Sequence, residues 1–302
     1  MKDVLVAGID SSTQSTKVLL VRASDGVIVD EASMMDGWLL LHLLNAIGPN
    51  TRLLLLGDGN QLPPVDGYSF FPDLAHLFGQ KLTHSMRTKE TAIRQIADDI
   101  LEGNGANIPR LPWIPKAEAL AHWLCQKLPT LTTEDPALLL QELTRFRILS
   151  ALRQGPMGVD ALNQTIYALY QAKNRNPWFP ILIIQNSPSQ ELYNGTTGVF
   201  VRGKAYFSID GVIKVFPEKA LPRYEMAFCL SIHKSQGSEF DHVLVLFGPG
   251  SERFGKEALY TAVTRAKKSV EICADETAFQ LALQKKTNLH SGFRNRVSID
   301  AI

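Results

Sequence analysis

The chain has 302 residues, 45% of them hydrophobic, and a formal net charge of +1. That length and apolar content bury one large or two modest cores. The near-neutral balance counts against a protein that passively coats DNA, and any basic track has to be local. Cys125, Cys229 and Cys273 are the three cysteines, far apart, with no histidine spaced to join them. Neither a zinc site nor a disulfide framework is indicated, and a reducing cytoplasm is the expected setting.

In chain order, MKDVLVAGID is interrupted by Asp3 and Asp10 and reads as a strand rather than a signal or membrane anchor. Further apolar runs bounded by Gly, Asp or Asn fall at 17–21, 27–29, 52–56, 181–184, 243–247 and 269–273. Such runs are expected to be buried on both faces, as in parallel sheets flanked by helices. Helical patterns cover 38–47, 90–101, 136–152, 159–172 and 277–286, and the alternation predicts an α/β fold. The stretch NGANIPRLPWIP breaks helix, which predicts a first domain over 1–110, a helical connector over 111–150 and a second domain over 151–302. Short strands and turns around GVFVRGKAYFSIDGVIKVF predict a small antiparallel insertion at 195–222.

Two of the strands end in polar chemistry. VIVDEASMMD places Asp30 where a strand tip can hold Mg²⁺ and Glu31 where it can orient or deprotonate an attacking water. The same run also reads as a strand end followed by a helix cap, Ser33 or Asp36. LLLLGDGNQLPPV brings Asp58 and Gln61 to the carboxyl end of a neighbouring strand, the usual ligand crevice of such sheets. Gln61 there can hydrogen-bond a γ-phosphate or a water.

HSMRTKE offers Arg87 and YTAVTRAKK offers Arg265. A guanidinium suits charge spread over phosphoryl oxygens, although isolated arginines are more often solvated surface charges. In SIHKSQGSEF, Ser231, His233, Lys234 and Ser235 supply donors for the phosphates of a nucleic-acid strand. Gln236 and Gly237 allow close backbone approach, and Glu239 can accept from a ribose hydroxyl. The run is too dense in donors for a plain connecting turn.

From about residue 27 onward the chain resembles the C-terminal part of RecD-like superfamily 1 DNA helicases, the exodeoxyribonuclease V alpha-subunit type. The matching segments are DEASMMD, GDGNQLPPV, HSMRTKE, RFRILSALRQGPMGVDALN, LYNGTTGVF, IHKSQGSEFDHV and LYTAVTRAKK. The resemblance implies two RecA-like parallel-sheet domains and a nucleotide between them. It also implies ATP-driven movement on single-stranded DNA in recombination and repair, beside RecB-like and RecC-like partners and away from membranes. It makes Asp30 the Mg²⁺ ligand, Glu31 the catalytic base, Gln61 the γ-phosphate sensor, and Arg87 and Arg265 phosphate-contacting arginines. Asn194, His233 and Lys234 fall where that family contacts DNA.

The resemblance also implies a G-x-x-x-x-G-K-[ST] loop ahead of the Asp-Glu strand, and none occurs before Asp30. The first domain is therefore expected to be truncated. The chain by itself is expected to turn over negligible ATP, with a non-catalytic DNA-binding or assembly subunit as the alternative. The run from Gly8 to Lys17 resembles the opening hairpin of FGGY carbohydrate kinases, which implies a sugar-kinase fragment as a weaker alternative. Its simpler reading is a polar hairpin. Because β-like VLLV follows Lys17, that run does not have the order of a loop leading into a helix.

Overall fold

The computed structural model describes residues 18–20, 26–65, 67–80, 91–128, 134–173 and 178–285. The expected strand at 4–9, the run ending at Lys17 and Arg87 lie outside the described residues. The chain forms two compact units, one holding the described residues up to 80 and the other residues 91–285.

In the first unit, β1 (Val18–Leu20), β2 (Val27–Val29) and β3 (Leu53–Leu55) form a sheet in that order. β2 runs parallel to β3 with Val27 opposite Leu53, and β1 pairs with β2 antiparallel. Helix α1 (Gly37–Ala46) covers this sheet, and α2 (Phe71–Phe78) follows the second strand tip. Val27, Val29, Ala32, Met35, Leu40, Leu43 and Phe71 make their common core. Of the two expected caps it is Asp36 that starts α1, its Oδ1 accepting from Leu39 N at 2.7 Å.

The second unit contains α3 (Thr91–Glu102), β4 (Leu111–Pro112), α4 (Ala117–Lys127), α5 (Pro136–Arg145), β5 (Phe146–Ser150), α6 (Val159–Lys173) and β6 (Phe179–Ile183). It continues through β7 (Thr197–Val201), β8 (Lys204–Ile209), β9 (Val212–Pro217), β10 (Tyr224–Met226) and β11 (Cys229–Ser231). It ends with β12 (Phe240–Phe247), α7 (Gly255–Val263), β13 (Ala266–Ala274) and α8 (Glu276–Gln284). Its main sheet has the order β11-β5-β12-β13-β4, every pair parallel. α4 and α6 pack on it through Leu120, Leu124, Leu162 and Ile166, which meet Ile148, Leu244 and Leu246. A second sheet, β10-β6-β7-β8-β9, is antiparallel throughout.

Three sequence expectations change. The helix expected over 136–152 stops at Arg145, and Phe146–Ser150 becomes β5. Slotted between β11 and β12, Ile148 and Leu149 are wholly buried, and the ladder overrides a helical pattern that local propensity alone would extend. The run at 181–184 belongs to the antiparallel sheet, because its partners are the hairpin strand β7 and the returning strand β10. Because Ile181, Leu182 and Ile183 are wholly buried, it has the apolar look of a parallel strand. The antiparallel sheet is accordingly wider than the stretch 195–222. Finally, α3 and β4 join the second unit, so the contact division falls ahead of the Gly/Asn/Pro-rich stretch, and that stretch carries β4 to the edge of the main sheet.

Candidate nucleotide and nucleic-acid sites

In the first unit, parallel β2 and β3 bring their carboxyl ends together. Leu56 N donates to Val29 O and Ala32 N to Leu56 O, both at 2.8 Å, so the chain leaving each strand is tied to its neighbour. Asp30 is exposed at the tip, and its Oδ1 accepts from Glu31 N at 2.9 Å. Glu31 adopts φ 53°, ψ 37°, a left-handed conformation sparsely populated by a side chain of its kind and costing about 1 kcal/mol. That kink turns the chain out of β2 and into a 3-10 turn over Ala32–Met34.

On the β3 side the turn is equally close. A Cβ on Gly57 would lie 2.8 Å from Ser33 N and 3.0 Å from the Phe71 ring, so only glycine fits there. Asp58 Oδ1 accepts from Asn60 N at 3.0 Å, and Gln61 N donates to Asp58 O at 3.2 Å, which folds Gln61 back beneath the turn. Gln61 is 5% exposed and Ser33 3% exposed. Gln61 Oε1 and Ser33 Oγ are buried without a hydrogen-bond partner. Two orphaned polar atoms beside two carboxylates fit a site completed by a polar ligand. No cluster of three or more His, Cys, Asp or Glu side chains suited to a metal occurs among the described residues. Mg²⁺ held by one carboxylate, water and phosphate oxygens needs no such cluster.

In the second unit, β11 ends at Ser231 and the chain enters a 3-10 turn over His233–Ser235. Ser231 Oγ accepts from Lys234 N at 3.3 Å, and Ser235 Oγ donates to Ile232 O at 2.7 Å, so both hydroxyls hold the turn itself. The His233 ring stands edge-on to Phe254, centroids 5.7 Å apart, and burial pushes its pKa below the usual histidine value. Lys234 Nζ lies 2.5 Å from Glu225 Oε1. Gln236 is buried. Gly237 has φ +73° with open space where a Cβ would stand, so it serves the backbone conformation and leaves the main chain approachable. Glu239 pairs with Lys267 at 3.1 Å.

Arg265 is 1% exposed. Its Nε donates to Thr261 O at 3.2 Å and its Nη1 to Ser238 O at 3.3 Å, while its own carbonyl accepts from Phe240 N at 2.8 Å. The structure thus shows the Arg265 guanidinium bracing the turn from beneath through the Thr261 and Ser238 carbonyls. Asn194 stands apart from this turn in sequence, between β6 and β7, where its N–H donates to Asn186 Oδ1 at 2.7 Å.

Sequence reasoning assigned no role to Asn163 on α6. Its Nδ2 donates to Met226 O and Cys229 O at 2.8 and 2.9 Å, and its Oδ1 accepts from Cys229 N at 2.8 Å. One buried carboxamide therefore fixes the crossover from β10 to β11 and, with it, the origin of the 231–239 turn. The available signal was a lone Asn next to Leu162 on an otherwise apolar helix face.

Residues 226–273, which hold β11, the basic turn, β12, α7 and β13, match the UvrD-like helicase C-terminal domain family. Residues 4–113 match an AAA domain family. RecBCD enzyme subunit RecD of Mycolicibacterium smegmatis is 30% identical over 90% of this chain and 54% of its own length. The ATP-dependent RecD2 DNA helicase of Deinococcus radiodurans is 30% identical over 87% of this chain and 38% of its own length. Among solved structures, a Bacteroides Pif1 helicase in complex with ADP-AlF3 and ssDNA aligns with a TM-score of 0.51 at 17% identity, covering 87% of this chain and 73% of that one, which shows a shared fold. These comparisons lend no support to the carbohydrate-kinase resemblance of the N-terminal run. The chain spans about half the length of the RecD relative and less of RecD2. With its mixed α/β architecture and its parallel sheets, the chain is similar to the RecD-like superfamily 1 helicases over about half of their length.

Proposed function

We propose that this chain acts in an ATP-driven motor on single-stranded DNA, with its second unit contacting the strand. The observation that carries this reading is the turn 231–239 at the carboxyl end of β11. There His233, Lys234 and an approachable Gly237 backbone leave a parallel sheet at its ligand-binding edge. The names of the relatives, a RecBCD subunit and an ATP-dependent DNA helicase, support it.

In this reading Asp30 would hold Mg²⁺, which would supply charge neutralisation for phosphoryl transfer. Glu31, presented by its left-handed backbone, orients the attacking water and takes its proton. Gln61 supplies the buried Oε1 that lacks a partner. Ser231, Ser235 and Arg265 shape the DNA-contacting turn from within. RecB-like and RecC-like chains are its proposed partners. Among the described residues no helix is long and apolar enough to cross a membrane.

No G-x-x-x-x-G-K-[ST] run occurs in the 302 residues. DNA binding by this chain is therefore expected to be separable from turnover, since the backbone cradle for β- and γ-phosphates is not encoded here. Fluorescence anisotropy with a labelled oligo(dT), without nucleotide, should give salt-dependent binding, weakened in the double variant His233→Ala, Lys234→Ala. Absence of binding would refute the reading. A parallel ATPase assay should give negligible turnover. DNA-stimulated turnover that Glu31→Gln abolishes would show instead that the chain is a complete motor.

A further inference from the structure

Lys234 already holds an anion. While its Nζ contacts Oε1 of Glu225 at 2.5 Å, the other oxygen of that carboxylate lies 3.1 Å from Nη2 of Arg153. Lys234 and Glu225 are largely buried, with side chains 15% and 21% exposed, while Arg153 is half open to solvent. The two cations come from different strand tips, β11 and β5, and converge on the two oxygens of one carboxylate.

The loop that carries Arg153 is built to hold it there. Between β5 and α6, Gly158 N donates to Gly155 O and Val159 N to Leu152 O at 3.0 Å, and Asp160 N donates to Arg153 O at 3.2 Å. A Cβ on Gly158 would come within 2.4 Å of the Arg153 carbonyl, so the closure requires glycine. Asp160 Oδ2 lies 3.6 Å from Arg153 Nε and steadies the guanidinium from another side, leaving its Nη2 edge to Glu225.

We propose that Arg153 and Lys234 form a seat for one backbone phosphate of single-stranded nucleic acid, and that Glu225 occupies it as an internal stand-in when no strand is bound. This rests on the DNA-binding reading above; it adds Arg153 as a contact and Glu225 as the group displaced. A phosphodiester offers the same two acceptor oxygens and single negative charge as the carboxylate, so it exchanges for Glu225 on the two cations with like charge and geometry. Asp160 keeps Arg153 oriented with either anion.

The test is oligo(dT) binding by the full chain across a range of NaCl concentrations, for wild type, Arg153→Gln, Glu225→Gln and the double variant. Removing the competing charge in Glu225→Gln should tighten binding about fivefold at low salt. Arg153→Gln, in either background, should weaken binding and reduce the slope of log K against log salt by about 0.7, the value for one lost phosphate contact on a single strand. An unchanged slope in Arg153→Gln overturns the seat, and so does unchanged or weaker binding by Glu225→Gln with an unaltered thermal transition. Those outcomes leave the DNA-binding reading standing. Failure of the wild type to bind oligo(dT) removes both.

Discussion

The strand tips of the first unit and the turn of the second are both built at the carboxyl ends of parallel strands, yet their serines and charged side chains are held differently. Around β2 and β3, Ser33 Oγ and Gln61 Oε1 are buried without partners, and Glu31 sits in a strained backbone conformation. Around β11, Ser235 bonds Ile232 O, Lys234 bonds Glu225, Glu239 bonds Lys267, and Arg265 bonds the carbonyls of Ser238 and Thr261. Unsatisfied atoms and strain mark a place where a ligand completes the structure. Bonded serine, lysine, glutamate and arginine side chains mark a turn that is already shaped and exchanges partners on binding.

The largest expected break falls in the second unit. Asn163→Leu removes three buried hydrogen bonds and strands the Cys229 N–H and two carbonyls. Urea unfolding should show a loss of about 3–5 kcal/mol, with loss of oligo(dT) binding under conditions where the wild type binds. Next comes Gly57→Ala in the first unit, where a methyl group would collide with Ser33 N and the Phe71 ring. It should cost about 1–3 kcal/mol by the same measurement.

A pair of identical substitutions sharpens the contrast further. Ser235→Ala deletes a hydroxyl bonded at 2.7 Å to Ile232 O and should destabilise by about 1 kcal/mol. Ser33→Ala deletes a buried hydroxyl with no partner and should be neutral or slightly stabilising. If both serines cost the same, the distinction between the two regions fails.

The smallest effect is a pH dependence. Burial lowers the His233 pKa from its model-peptide value of 6.5, so the unfolded chain takes up this proton first as pH falls. The contribution of neutral His233 to stability is present above 6.5 and is lost as pH drops below that value toward the depressed folded pKa. Thermal melts between pH 8 and pH 5 should therefore fall less steeply for His233→Gln than for the wild type.

Much of this architecture was readable beforehand wherever the signal was local. Asp30, Glu31, Asp58 and Gln61 could be placed together because each follows a short apolar run that closes in a polar turn, and adjacent parallel strands bring such turns to one edge. The α6 and α8 patterns likewise carry their own periodicity. The helix expected over 136–152 was misread beyond Arg145, since nothing in FRILS itself announces the two neighbours that hold it extended.

By itself the sequence determined which residues end the strands, where the donor-rich turn lies and which family the chain resembles, because those depend on residue types a few positions apart. Tertiary structure alone decided that Asn163 clamps Cys229 across 66 residues and that Arg153 meets Glu225 across 72. It also decided that Arg265 lies beneath its turn rather than on the surface. Such pairings are set by how helices and strands stack, and a side chain's hydrogen-bond partner cannot be read from a chain whose layers have not yet been brought together.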